Sequence, residues 1–154
     1  MSYEVEVRED APRDVLCIAA RTTLAEIGRT LGECFGEIGA YAAEQGYQFV
    51  GPPFVAYPDR IDQDVEGTVE VCFPVAPGAE PRGRVELRRV SGGPVAWTMH
   101  RGPYYGIGAA YEAVQGWMAE NGREMAGPPR ETYLNEPGDT PSEELLTEVA
   151  FPAV

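Results

Sequence analysis

The feature that most constrains this chain is that it reads twice. Residues 46–57 are GYQFVGPPFVAY and residues 122–133 are GREMAGPPRETY, so Gly46, Gly51, Pro52, Pro53 and Tyr57 return as Gly122, Gly127, Pro128, Pro129 and Tyr133, at an offset of 76. Further on, TVEVCFPV (68–75) matches LTEVAFPA (146–153) at an offset of 78. There Glu70 pairs with Glu148, and Phe73-Pro74 with Phe151-Pro152. Upstream, VLCIAAR (15–21) corresponds to VAWTMHR (95–101) at an offset of 80. Three blocks in one order, separated by small insertions, describe a unit of roughly 75–80 residues present in two copies. The 154 residues are therefore expected to form one domain, 1–154, with a first repeat at 1–78 and a second at 79–154.

Each copy predicts the element order β-β-α-β-β, an α+β fold. In the first copy 2–9 alternates in polarity and 15–22 is a more buried strand. Thr23 is placed to cap a helix running to about Gln45, with Glu26 as capping-box partner. Ile27, Leu31, Phe35, Ile38 and Tyr41 or Ala42 fall at helical spacing on it. Gly28, Gly32, Gly36 and Gly39 weaken the helix by about 0.5–1 kcal/mol each and are expected to let it approach a sheet closely. Gly46 ends it. Strands at 53–58 and 66–74 follow, around the polar loop DRIDQD. The second copy repeats the plan, with strands at 84–90 and 95–101, a helix from about Gly106 to Asn121, and strands at 130–135 and 145–152. Its helix carries Ile107, Ala110, Tyr111, Val114, Trp117 and Met118 on one stripe, and Gly122 ends it. The last two strands flank the acidic loop EPGDTPSE. Two such units are expected to leave a central cleft about a pseudo-twofold axis, where a ligand would bind.

The net charge of −13 excludes nucleic acid as a direct partner, because no basic patch exists to displace phosphate counterions. It equally disfavours anionic membrane surfaces, and no apolar run approaches the length of a membrane span. Cys17, Cys34 and Cys72 are odd in number, widely spaced and in apolar contexts. With His100 the lone histidine, they predict small buried hydrophobes in a reducing, cytoplasmic setting and no metal site. No cofactor motif is present: no phosphate-cradling glycine loop, no GxSxG and no HExxH.

One stretch carries chemistry. In GPPRETYLNEP (127–137), residues two apart share a strand face, so Glu131 and Tyr133 point the same way. Their counterparts in the first copy are Val55 and Tyr57. A face that takes valine and two tyrosines is not fully wet, so Glu131 is a carboxylate in partly apolar surroundings. With Tyr133, Tyr57, Tyr104 and Trp97 as an aromatic wall, Val55 beside it and His100 at a strand end nearby, that carboxylate suits a lipophilic cation. Glu70 and Glu148 are expected outside the pocket, in a repeated structural role such as bonding a loop amide.

The residues HRGPYYGIGAAYEAVQGWMAENG, GPPRETYLNEP and ELLTEVAFP, with their joint pattern H-x-G-x-Y, E-x-Y-L-x-x-P and T-E-x-x-x-P, resemble the GyrI-like small-molecule-binding domain. That domain is the effector-binding part of several AraC- and MerR-type multidrug regulators. The resemblance implies two strand-helix-strand-strand (SHS2-type) modules with a ligand channel, and a glutamate, here Glu131, that pairs with lipophilic cations. It also implies alternatives. Some members hydrolyse cyclopropane-containing DNA-alkylating natural products, which would make Glu131 and Tyr133 catalytic. The founding member protects DNA gyrase, which leaves an interaction module open, with no protein partner indicated. The chain starts at the first strand of the module, so the expectation is a stand-alone form without a DNA-binding helix-turn-helix.

Overall fold

A computed structural model describes residues 3–136 and 138–154. Ser2, at the start of the first expected strand, and Pro137, in the acidic loop, lie outside the described residues. The strands are β1 (Glu6–Asp10), β2 (Arg13–Thr22), β3 (Phe54–Ala56), β4 (Gly67–Pro74), β5 (Glu86–Val90), β6 (Gly93–Arg101), β7 (Arg130–Tyr133) and β8 (Leu146–Pro152). The helices are α1 (Ile27–Gln45) and α2 (Gly108–Glu120). The fold class is α+β, with antiparallel pairing throughout the named strands.

The chain folds as two compact units, 12–91 and 1–11 together with 92–154. These boundaries differ from the repeat boundaries at 78/79, because each repeat contributes its leading strand to the other unit. β1 pairs with β6, and β5 pairs with β2. Each edge register is set by long-range pairing, which local alternation does not encode.

In the unit 12–91 the order is β3-β4-β2-β5, with Cys17 opposite Cys72 and Val55 opposite Val71. α1 lies on the face that carries Phe73, whose ring meets Phe35 edge-on at 5.6 Å. Cys34 joins the buried stripe of Ile38, Tyr41 and Ala42. The expected capping box does not form. α1 starts at Ile27 behind Glu26 with no side-chain cap, and the Thr22 hydroxyl is engaged with that of Thr30 at 2.8 Å. The expected close approach through glycines is also corrected. Nothing lies within 4 Å of where a Cβ would stand on Gly28, Gly32, Gly36 or Gly39, so these positions look away from the sheet. On the opposite face Val15, Cys17, Phe54 and Cys72 form a second apolar cluster, and the Cys17 and Cys72 sulfurs touch at 3.4 Å.

In the other unit the order is β1-β6-β8-β7. Ala110, Val114 and Met118 of α2 pack on Ala96, Val149 and Phe151, the stripe expected from the sequence. Both repeats keep the same local devices. Gly46 and Gly122 end the helices at φ 75° and 65°, and the following amides, Tyr47 and Arg123, close back on Ala42 and Met118, each at 2.9 Å. Val50 and Ala126 donate to the carbonyls of Pro74 and Pro152 at 2.9 and 2.8 Å, which explains why GPP and FP recur together.

Candidate functional site

The register places the site. Across β6, β8 and β7, Thr98, Val149 and Glu131 form one row, and His100, Thr147 and Tyr133 form the next. Directly opposed residues share a face, and Val149 belongs to the cluster under α2. Glu131 and Tyr133 therefore point to the helix side of the sheet.

Glu131 is half-buried. Two phenols donate to its carboxylate: Tyr111, from α2, to Oε2 at 2.5 Å, and Tyr133 to Oε1 at 3.0 Å. Burial pushes the carboxyl above its ordinary value, while the two hydrogen bonds and the nearby His100 pull it back. Tyr111 is held in place by its ring, which meets Phe151 edge-on at 5.8 Å. Tyr104, in a 3-10 turn at 104–106, sets its ring edge-on to Tyr133 at 5.8 Å. Burial, and secondarily the Glu131 charge, raise the Tyr104 phenol, which keeps it a neutral donor.

His100 is buried with both ring nitrogens engaged: the Tyr3 hydroxyl lies 2.9 Å from Nδ1, and the Pro103 carbonyl 2.9 Å from Nε2. Nε2–H donates to Pro103, and Nδ1 meets the Tyr3 hydroxyl as acceptor when the ring is neutral or as donor when it is charged. His100 therefore fixes the turn that carries Tyr104 and influences Glu131 through space.

Glu131, Tyr133, Tyr104 and His100 come together. Trp97 does not, because it stands one residue out of phase with Thr98 and His100 on β6 and so projects from the other face. There the Arg8 guanidinium lies over its ring at 5.2 Å. Val55 and Tyr57 belong to the unit 12–91, where Val55 is fully buried on the α1 face of β3 and Tyr57 is half-buried just beyond it. The sequence reading missed Tyr111 as a donor, since its helical spacing marked it as core. It also missed Tyr3 and Thr147.

On the Trp97 face, Arg8 bridges Glu148 and Asp10, and Arg130 bonds Asp10 at 2.9 Å. The equivalent Glu70 takes Arg88. The repeated glutamates thus bind arginines rather than loop amides, and Glu148 lies on the sheet face opposite Glu131. Among the described residues no three His, Cys, Asp or Glu side chains converge to hold a metal, and none of the described helices is long and apolar enough to cross a membrane.

The partly buried Glu131 carboxylate, bonded by two phenols, is the candidate site of this α+β chain. The model of the GyrI-like small molecule binding domain matches residues 3–154, and the chain belongs to that family. Among solved structures, the C-terminal domain of EcmrR superposes with a TM-score of 0.89 at 21% identity, covering 100% of this chain and 99% of that one. SAV2435 bound to tetraphenylphosphonium gives 0.68 at 16%, covering 100% and 94%. A hydrolase from Listeria innocua gives 0.71 at 14%, covering 99% and 93%. No sequence among the curated proteins compared matches the chain.

Proposed function

We propose that this chain binds lipophilic aromatic cations, with Glu131 as the counter-charge and Tyr133, Tyr111 and Tyr104 as its aromatic and hydrogen-bonding surround. The observation that carries this reading is the half-buried Glu131 carboxylate held by two phenol donors. The phenols keep a charge available where burial alone would neutralise it. A cation beside it gains the Coulombic partner and about 0.5–2 kcal/mol for each aromatic face it meets. The relative solved with tetraphenylphosphonium supports the ligand class, and the charge of −13 attracts cations at long range. Fluorescence titration with a rhodamine dye tests it: Glu131→Gln is expected to weaken binding at least tenfold, and an unchanged affinity overturns the reading.

A second reading is hydrolysis of a strained electrophile. The upward push on the Glu131 carboxyl suits a proton donor or water-orienting base, with Tyr133 assisting, and a structural relative is described as a hydrolase. Incubation with a cyclopropane-bearing alkylator and mass spectrometry separates the two: a ring-opened product that disappears in Glu131→Gln establishes turnover, and intact ligand rejects it.

A further inference from the structure

The same sheet face holds a polar group that the reading above does not use. Thr147 is 0% exposed, and among the described residues its Oγ1 has no hydrogen-bond partner. It lies on β8 directly between His100 and Tyr133 and diagonal to Glu131. Diagonal cross-strand neighbours stand about 7–8 Å apart, the span of one aromatic ring system. A buried hydroxyl left unpaired is a standing cost to the folded chain. The repeat shows that the fold does not require it: at the equivalent place, offset by 78, stands Val69, also 0% exposed.

We propose that Thr147 is a specificity-determining residue, whose hydroxyl accepts a hydrogen bond from an N–H carried by an aromatic cation seated at Glu131. The inference rests on the binding reading above and adds a preference within its ligand class, for cations with an N–H on the ring system over fully substituted ones. Ligand contact requires the half-buried Tyr133 ring to turn, a side-chain change common on binding. Glu131 supplies affinity for any such cation, and Thr147 separates those that bring a donor from those that do not.

The test uses two cationic xanthene dyes of similar shape, rhodamine 6G, which carries N–H groups, and tetramethylrhodamine ethyl ester, which carries none. Wild type is expected to prefer rhodamine 6G. Thr147→Val is expected to lower the affinity ratio of the two dyes about tenfold, and Thr147→Ser to restore it. In the ligand-free protein Thr147→Val is expected to raise Tm by a few degrees. Equal losses for both dyes, an unchanged ratio, or a lower Tm in the valine variant each overturn the proposal, the last because the hydroxyl would then have a partner in the free chain. Failure of the underlying reading shows differently: Glu131→Gln then leaves both dyes binding as in wild type.

Discussion

Replacing Tyr111 with phenylalanine removes one oxygen and tests the electrostatics of the site. The ring stays, so its edge contact with Phe151 is kept, and Glu131 retains only the longer bond from Tyr133, at 3.0 Å. A hydrogen bond to an ionised group contributes roughly 1.5–3 kcal/mol, against about 0.5–1.5 kcal/mol for a neutral one. At 2.5 Å the Tyr111 bond belongs in the upper part of the charged range. The sign follows from linkage. Burial already raises the Glu131 carboxyl, so the folded protein holds this proton more tightly than the unfolded chain. The group therefore contributes stability below its unfolded value, and that contribution is lost as pH rises through the folded value. Tyr111→Phe raises the folded value further. Its cost relative to wild type is small where both carboxyls are protonated and full above the variant's folded value. Urea denaturation is expected to show a loss of about 2–3 kcal/mol at pH ~9 and about 1 kcal/mol or less at pH ~4. Carbon NMR of the Glu131 carboxyl follows the titration directly. An equal cost at both pH values, or a carboxyl titrating no higher in the variant than in wild type, refutes the account.

On the opposite sheet face, Arg8→Met leaves Glu148, 8% exposed, without its guanidinium. The expected loss is about 1–3 kcal/mol, below the fully buried range because Arg8 itself is partly exposed. Adding Glu148→Gln is expected to recover much of it in a double-mutant cycle, and strictly additive losses would argue against the pair. Two glycine-to-alanine changes should move Tm in opposite directions. Gly122→Ala, at φ 65°, costs about 1–2 kcal/mol. Gly32→Ala, with open space around its Cβ position, stabilises by about 0.5–1 kcal/mol. Thermal melts of the two variants check both.

Much of this molecule was legible from local patterns. The duplication is read from repeated blocks and the helix ends from the glycines that follow them, while the apolar stripe of α2 and the shared direction of Glu131 and Tyr133 follow from periods of 3.6 and 2 within single elements. Those periods are set by backbone geometry, and tertiary contacts do not alter them. What escaped depended on partners far along the chain. VAWTMHR is apolar on both faces, so alternation alone did not say whether Trp97 or His100 shares the face of Glu131; the pairing of β6 with β8 decided it. Tyr111 reads as core because its ring is core, and only packing brings its hydroxyl to a carboxylate twenty residues on. The exchange of β1 and β5 between units, the contact of Cys17 with Cys72 and the unpaired Thr147 hydroxyl are likewise products of register. The sequence by itself thus determined which elements form and which residues share a face within each. The tertiary structure decided which faces meet, because strand pairing joins residues by long-range hydrogen bonds and packing that no local window contains.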